Sequence, residues 1–522
     1  MSSPPASPTS FGSDTPSRGR TQRSGKAGSA VALASWAVAA VLAGCAAGPD
    51  YKPPAVDIPV TWQLEEPWKQ AVPGDADDKG PWWLRFGDPQ LDALQQKALA
   101  NSPTLELASA RLAQARATLA GANAGRYPQV GVGTRAQRFE ISANRPLTNY
   151  AAPNYSTVQN DFALNLTASY ELDFAGRVQR SVEAATASAA QSAADLENTR
   201  LLLTTDVASA YYNLRSTDIE LDVLTRSIAL QQRALQFVTD RHDLGAVSGL
   251  DVAQQQALLD NTLAQVDVLK KTRSQYEHAL ATLTGTPAPS FSVAADVKPL
   301  VPPAIPIGIP SEALQRRPDV ASAERAMAAA NAQIGVASAA FYPSVMLLPS
   351  IGVDSRTLST LFDSQSLLWS LGVTATQTIF DGGRIRANVD FSKAGYDVAV
   401  AGYKRTVLVA FQEAEDGITG LASLERASAQ AQTAVDSSRR VLEMAAGRYQ
   451  GGASTFLDVI TAQQALLSTE RQAAQINGQR MLTSVFLVKA LGGDWCGVEP
   501  RGTTADARTS CPAPLRQVAE TR

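Results

Sequence analysis

The feature that most limits the possible folds of this chain is the stretch from residue 176 to about 244, which contains no proline and no internal glycine. Proline interrupts helices and glycine weakens them, so the stretch predicts one continuous helix. At about 1.5 Å per residue it would be roughly 100 Å long, more than a globular domain needs. Apolar residues recur every seven positions and predict a narrow buried seam. They are Val207, Leu214, Leu221, Ile228 and Leu235.

The chain carries the same order of motifs twice. Ser102-Pro103 matches Arg317-Pro318 at an offset of 215, and Leu250-Asp251-Val252 matches Leu457-Asp458-Val459 at an offset of 207. Each copy predicts a helix, two strands, a very long helix, a glycine-containing turn and a last helix. The second very long helix should cover 383 to about 449. Two structural repeats are therefore expected, at residues 87–299 and 300–493.

Between the helices, apolar and polar residues alternate with the period of a β-strand. From Phe162 to Phe174 every even position is apolar or aromatic. Residues 369–379 alternate in the same way, with noisier partners at 130–139 and 345–353. These runs exceed the usual strand of about five or six residues and match the roughly 9–11 residues of a transmembrane strand. A soluble hairpin with one face on a core is the alternative.

The strands predict an oligomer. Four strands per chain cannot close a barrel, and an open sheet edge is not viable in lipid. Two chains would give about eight strands, which only just enclose their own side chains. Three chains would give twelve strands and room for water. The predicted fold class is mainly α with a transmembrane β-barrel: a trimeric α/β barrel to which each protomer brings four strands and long helices.

Residues 1–44 predict a signal peptide. Basic residues precede an apolar run, 30–43, that is too short to span the about 30 Å of a bilayer core. Leu42-Ala43-Gly44-Cys45 resembles a bacterial lipobox, in which Cys45 is acylated, for instance with palmitate, and becomes the N-terminus. An ordinary signal peptide that happens to contain a cysteine is the alternative. Residues 45–86 should form a polar, proline-stiffened tether and an equatorial segment.

The tail, 494–522, contains Cys496 and Cys511. Outside the cytoplasm an even number of cysteines predicts a disulfide. It would close a loop of roughly 15 residues and contribute about 3 kcal/mol. Two unpaired thiols are the alternative.

The composition argues against several functions. Lys and Arg number 46 against 49 Asp and Glu, so no basic field recruits nucleic acid. Two histidines and three cysteines leave little for a metal or a His-based catalytic site. A phosphate loop or serine elbow is not apparent. We expect no enzyme activity, no cofactor and no metal.

Five motifs resemble the outer-membrane efflux lipoproteins of the TolC-like, NodT-type family. They are Leu42-Ala43-Gly44-Cys45, Gly48-Pro49-Asp50-Tyr51, Trp82-Trp83 with Phe86-Gly87-Asp88-Pro89, Asn101-Ser102-Pro103, and Phe380-Asp381-Gly382-Gly383-Arg384. The resemblance implies a lipid-anchored homotrimer, with a 12-stranded barrel in outer-membrane lipid and a 12-helix tunnel through the periplasm. A collar should wrap the tunnel, here at 55–100 and 286–310. The implied partners are a periplasmic adaptor and an inner-membrane transporter of the resistance-nodulation-division (RND) type, and the implied function is a passive exit duct for drugs or other small molecules.

The resemblance also implies a gate at the periplasmic helix tips. Asp251, Tyr449 and Asp458 match family positions that close the tunnel. Three copies of Asp458 around a threefold axis would repel one another and attract cations. The alternative for both aspartates is an acid that stabilises the first turn of a helix, typically by about 0.3–1 kcal/mol.

Two other functions remain open at this stage. The same fold could serve as the duct of a type I protein-secretion or ABC-driven export system. A lipid-anchored periplasmic scaffold or adaptor without a pore is the alternative of a different class.

Overall fold

The computed structural model describes residues 47–52, 81–145, 157–305 and 317–493. The signal peptide, Cys45 and the two tail cysteines Cys496 and Cys511 lie outside the described residues.

Two very long helices dominate the chain. Helix α3, Arg177–Asp243, and helix α6, Arg384–Gln450, each contain 67 residues. Both lengths agree with the proline-free stretches that predicted them. Each helix starts directly after a glycine with positive φ, Gly176 at 73° and Gly383 at 95°, a conformation that favours glycine. No helix of the described residues has an apolar stretch long enough to cross a bilayer.

Shorter helices flank the two long ones. They are α1 Pro89–Asn101, α2 Pro103–Ala124, α4 Gly249–Leu283, α5 Pro318–Ala339 and α7 Phe456–Ala490. Next to the sheet, α3 packs between α2 and α5, and α6 packs on α5. Towards the far end, α3 packs on α4 and α7, and α6 packs on α7. Each long helix is therefore accompanied by different neighbours in its two halves.

The short helices meet end to end. After α4, the chain passes so close to the start of α2 that a side chain on Gly285 would lie 2.3 Å from the Asn101 carbonyl oxygen. At the matching junction, Arg317 before α5 donates from Nη1 to the Ala490 carbonyl oxygen at 3.0 Å. This bond satisfies one of the free carbonyls at the end of α7.

Four antiparallel strands form one sheet in the order β1-β2-β3-β4. The strands are β1 Gln129–Ile141, β2 Thr157–Leu172, β3 Ser344–Ser355 and β4 Leu367–Thr376. All four predicted strands are present, although β4 begins two residues before and ends three residues before the predicted range of 369–379. Strand β2 ends at Leu172, two residues before the predicted end at Phe174, because the chain turns there: Phe174 donates its N–H to the Leu172 carbonyl.

The two faces of the sheet differ in polarity. Val132, Leu166, Ile351 and Trp369 are successive partners across the four strands, and between 44% and 73% of each is exposed in the single chain. On the other face, Arg135 pairs with Asp161 at 2.8 Å and with Asp354 at 3.3 Å. The sheet therefore exposes one apolar face and keeps ion pairs on the opposite one.

The largest hydrophobic cluster lies around the middle of α3, where residues 81–101 and 286–305 pack against it. Trp82 donates from Nε1 to Thr204 Oγ1 at 3.2 Å, and Gln95 donates to the Thr204 carbonyl at 2.6 Å. Trp82, Leu91, Tyr211 and Val293 share this cluster. Trp82, Leu91 and Val293 fall within the two ranges expected to form the collar, and Tyr211 belongs to α3.

The predicted seam of α3 is correct only in part. Val207 and Leu214 are fully buried, but Leu221, Ile228 and Leu235 are only half-buried in the single chain. Three residues further on in each case, Leu224, Gln231 and Val238 are fully buried instead. The buried face moves because the neighbours of α3 change from α2 and α5 to α4 and α7, and a strict heptad pattern assumes one partner throughout.

Candidate gate at the helix tips

Two turns of the same construction close the end of the chain opposite the sheet. One joins α3 to α4 and the other joins α6 to α7. Gly245 and Gly452 have φ values of 73° and 74°. The next residue in each turn donates back to a helix carbonyl, Ala246 to Arg241 at 2.9 Å and Ala453 to Arg448 at 2.8 Å. Glycine is needed at both positions because the left-handed conformation ends each helix.

A small hydrophobic cluster holds the two turns together. We call it the tip cluster. It consists of Val238, Leu258, Tyr449, Phe456, Val459 and Ile460. Its members come from α3, α4, α6 and α7, so the two tips form one packed unit.

Tyr449 lies at the centre of this unit. Its ring is 8% exposed and packs on Phe456, with ring centres 5.1 Å apart, and on Phe237 at 6.3 Å. The guanidinium of Arg241 lies 5.2 Å from the centre of the ring, an interaction of a cation with an aromatic face. The Tyr449 hydroxyl is buried and has no hydrogen-bond partner among the described residues.

The two candidate aspartates occupy equivalent places. Asp251 is in the first turn of α4 and Asp458 in the first turn of α7. Asp458 is exposed and Asp251 is half-buried. Each carboxylate lies at the N-terminal end of a helix, where it interacts favourably with the helix dipole. Among the described residues, neither carboxylate forms an ion pair with a basic side chain. The stabilising role and an electrostatic role at the tip are compatible.

Several residues at the tip were not identified from the sequence. Arg241, Phe237 and Phe456 contact Tyr449, but charged and aromatic residues near a helix end carry no sequence signal for a contact with the other half of the chain. A layer of buried glutamines next to the tip cluster was also missed. Gln255 donates to the Gln231 carbonyl at 3.1 Å and to Gln463 Oε1 at 3.3 Å.

His242 contacts the turn between α3 and α4. Its Nδ1 lies 3.0 Å from the Val247 carbonyl oxygen. In the part of the chain that is described, no group of three His, Cys, Asp or Glu side chains is placed to hold a metal ion. Among the described residues, the tip is held by the packing of the tip cluster and by the cation of Arg241 on the Tyr449 ring.

A family model for the outer membrane efflux protein matches residues 94–286 and 309–493, which is more than half of the chain. The pyoverdine export outer membrane protein OpmQ of Pseudomonas aeruginosa is 32% identical over 431 residues, 82% of this chain and 90% of the relative. The toluene efflux pump outer membrane protein TtgF of Pseudomonas putida is 30% identical over 478 residues, 90% of this chain and 98% of the relative. The cation efflux system protein CusC of Escherichia coli K12 is 29% identical over 465 residues, 88% of this chain and 99% of the relative.

Solved structures agree with these relatives. The outer-membrane channel OprN superposes with a TM-score of 0.79 at 29% identity, over 86% of this chain and all of the other. The outer membrane protein VceC of Vibrio cholerae superposes with a TM-score of 0.74 at 28% identity, over 79% of this chain and 98% of the other.

Proposed function

This chain belongs to the outer membrane efflux protein family, and from that premise we propose that three copies form the outer-membrane exit duct of a tripartite RND-type pump. One observation carries the proposal. A sheet with one exposed apolar face and one polar face continues directly into helices of 67 residues. Lipid would cover the apolar face and water the polar face. The helices would carry the water-filled path into the periplasm for roughly 100 Å.

The trimer follows from the sheet edges. Strands β1 and β4 each have a neighbour on one side only within the chain, and free edges are not tolerated in lipid. Pairing β4 of one protomer with β1 of the next closes a twelve-stranded barrel when three protomers meet. Four helices of the chain lie side by side next to the sheet, and four lie side by side towards the far end. Three chains would therefore line a twelve-helix tunnel. The two structural repeats, 87–299 and 300–493, would each supply half of a protomer's share.

The duct has no energy source of its own in this proposal. A periplasmic adaptor and an inner-membrane RND transporter supply the driving force, and the chain provides a passage. No catalytic step and no cofactor are proposed.

Asp251, Tyr449 and Asp458 form the proposed gate at the periplasmic end. Packing of Tyr449 in the tip cluster holds the two turns of one protomer together. Three copies of the exposed Asp458 would form an acidic ring at the mouth.

The ends of the chain complete the proposal. A signal peptide, 1–44, is removed, Cys45 is acylated, and residues 45–86 connect the anchor to the collar. Cys496 and Cys511 form a disulfide in the tail, 494–522.

The relatives named above carry the names of different cargoes, pyoverdine, toluene and cations. A wide duct does not need to recognise what passes through it. We therefore place the choice of cargo, drugs or other small molecules, in the transporter.

Planar-bilayer recording on the purified protein tests the function. We expect a heat-modifiable trimer that conducts ions, and a deletion strain that becomes more susceptible across a panel of compounds. A monomer that stays soluble without detergent after Cys45→Ala and never conducts would favour the scaffold instead. An adjacent gene for an ABC exporter, with no change in compound susceptibility, would favour protein secretion.

A further inference from the structure

Three glutamines are buried where α3, α4 and α7 meet. We call them the glutamine layer: Gln231, Gln255 and Gln463. The first two are fully buried and Gln463 is 3% exposed. Gln255 of α4 donates from Nε2 to the Gln231 carbonyl of α3 at 3.1 Å and to Gln463 Oε1 of α7 at 3.3 Å. One amide group therefore ties α4 both to its own half of the chain and to the other half.

Along α3 and α7 the glutamine layer separates two apolar clusters. Val238 and Ile460 belong to the tip cluster, and Leu224 and Leu467 belong to a second cluster closer to the collar. The layer lies within about two turns of the starts of α4 and α7. It therefore interrupts the apolar packing immediately behind the two tip turns.

A second polar layer joins the same three helices about three turns away along α3. Arg471 of α7 donates from Nη1 to Gln265 Oε1 of α4 at 2.8 Å. Gln475, also of α7, donates from Nε2 to Glu220 Oε2 of α3 at 3.1 Å. Two polar layers with apolar residues between them therefore connect α3, α4 and α7.

The glutamine layer lowers the stability of the fold compared with an apolar layer. The Oε1 atoms of Gln231 and Gln255 are buried and have no hydrogen-bond partner in the part of the chain that the structure describes. A buried polar atom without a partner is unfavourable, and apolar side chains of similar volume would pack without that loss. Stability alone therefore does not explain three glutamines at this place.

Hydrogen bonds select one alignment of neighbouring helices. Apolar packing has no direction, so leucines can pack on one another in more than one register. A slide of α4 by one turn, about 5.4 Å, would break both bonds of Gln255. Buried polar residues fix the register of coiled coils in this way, at a cost in stability.

We propose that the glutamine layer sets the axial register of α3, α4 and α7 and thereby holds the two tip turns level with each other. The inference rests on the proposed gate, whose residues come from both turns. Gln255 is a positioning residue, because it acts through the helices that carry Asp251 and Asp458.

An apolar version of the layer tests the proposal. The triple variant Gln231→Met, Gln255→Met and Gln463→Met keeps the side-chain lengths and removes the amides. Thermal unfolding of the purified trimer should be unchanged or move to higher temperature, because two unpartnered oxygens are lost. Hydrogen–deuterium exchange at the Ala246 and Ala453 amides, which close the two turns, should become at least about threefold faster, because the turns are not held in one register.

Gln95→Met is the matched control. Gln95 of α1 is a fully buried glutamine in the collar, and its Oε1 also has no partner among the described residues. Its replacement should change thermal unfolding without changing exchange at Ala246 and Ala453. If the glutamine layer only stabilised the fold, the triple variant would unfold at a lower temperature, and its exchange would rise only in step with that loss.

Unchanged exchange at both turns of a folded triple variant would overturn the proposal. If the triple variant does not assemble, Gln255→Met alone is measured in the same way, since it removes both bonds. Failure of both variants to assemble would also overturn the proposal, because the layer would then be needed for folding itself.

Open probability in planar bilayers is recorded on the same preparations. It should rise in the triple variant and not in Gln95→Met. Faster exchange without a higher open probability would overturn the link between the register and the gate. A parent protein that never conducts would contradict the proposed duct, and the exchange rates would still decide whether the layer sets the register.

Discussion

The guanidinium of Arg241 lies 5.2 Å from the centre of the Tyr449 ring and 5.9 Å from that of Phe237. Arg241 belongs to α3 and Tyr449 to α6, which are far apart in sequence and share no strand or turn. The stacked cation therefore ties the first half of the chain to the second at the proposed gate. Its equivalent in the other turn, Arg448, instead donates to the Ala453 carbonyl of its own turn.

Replacement of this arginine should loosen the closed tip. A cation–aromatic contact contributes about 0.5–2 kcal/mol, so Arg241→Ala should raise the open probability of the trimer in planar bilayers. Arg241→Lys retains the charge, so it should raise the open probability less than Arg241→Ala does. Arg233→Ala is the matched control, since within the described residues Arg233 bonds only to the Ala229 carbonyl of the same helix. Identical current traces for Arg241→Ala and Arg233→Ala would show that the contact between Arg241 and Tyr449 has no role in the gate.

The acidic ring makes a separate prediction. Asp458 is exposed at the start of α7, and three copies near an axis would concentrate cations. Asp458→Ala should lower cation selectivity or change conductance, with reversal potentials in a salt gradient as the measurement. Asp251→Ala, at the half-buried equivalent, should have the smaller effect on selectivity. Unchanged traces for Asp458→Ala would leave it only the role of stabilising its helix.

The two faces of the sheet can be told apart by neighbouring substitutions. Leu371 lies near the middle of β4 and is 68% exposed. Leu371→Arg should impair assembly in the outer membrane, because a lipid-facing arginine near the midplane costs about 2–4 kcal/mol. Ser370→Arg points to the polar face, where Ser370 bonds to Ser350, and should still yield heat-modifiable trimer. Equal yields would contradict the assignment of the faces.

A buried ion network lies where α3 and α4 meet residues 293–296 of the expected collar. Asp218 has a side-chain exposure of 1% and pairs with Arg215 and Arg273, each at 2.7 Å. Asp218→Asn should destabilise the protein by about 3–5 kcal/mol, because the buried guanidinium of Arg215 loses its counter-charge. Arg273 is less affected, since it keeps Glu277 at 3.3 Å. Asp222→Asn, which breaks the exposed pair with Arg226, should cost about 0–1 kcal/mol. Thermal unfolding followed by helical circular dichroism compares the two variants.

The tail cysteines make the last prediction. If Cys496 and Cys511 are bonded, the denatured, unreduced protein should contain no thiol that reacts with a maleimide. Reduction should expose two thiols per chain. Reaction before reduction would show unpaired cysteines.

The local features of the fold were readable from particular residues. The absence of proline predicted both long helices to within about two residues, the usual uncertainty of helix ends. Strict alternation predicted β2 and β4. The motif residues proved to lie at junctions: Asp88 accepts from the N–H groups of Gln90 and Leu91 at the start of α1, and Asp381 accepts from Gly383 and Ile385 at the start of α6. Such capping is local and can therefore be recognised in a sequence.

Contacts between distant segments could not be read in the same way. Beyond Leu214 the fully buried positions of α3 lie three residues further along than the predicted seam, because its partner changes along the helix. Tyr449 was identified by resemblance, but Arg241 and Phe237 beside it were not. Residues 47–52 were expected to be part of a tether. Their contacts with Arg180 and Asn331 were not expected, because both look like ordinary surface residues of amphipathic helices.

The sequence by itself determined the lengths and order of the helices and strands and the turns between them, since these depend on residues close together in the chain. Only the tertiary structure decided which helix faces are buried, that a cation from one half stacks on Tyr449 of the other, and that residues 47–52 are docked between α3 and α5. These features depend on side chains more than a hundred residues apart. Their contacts form only after the two halves have packed, so no local pattern encodes them.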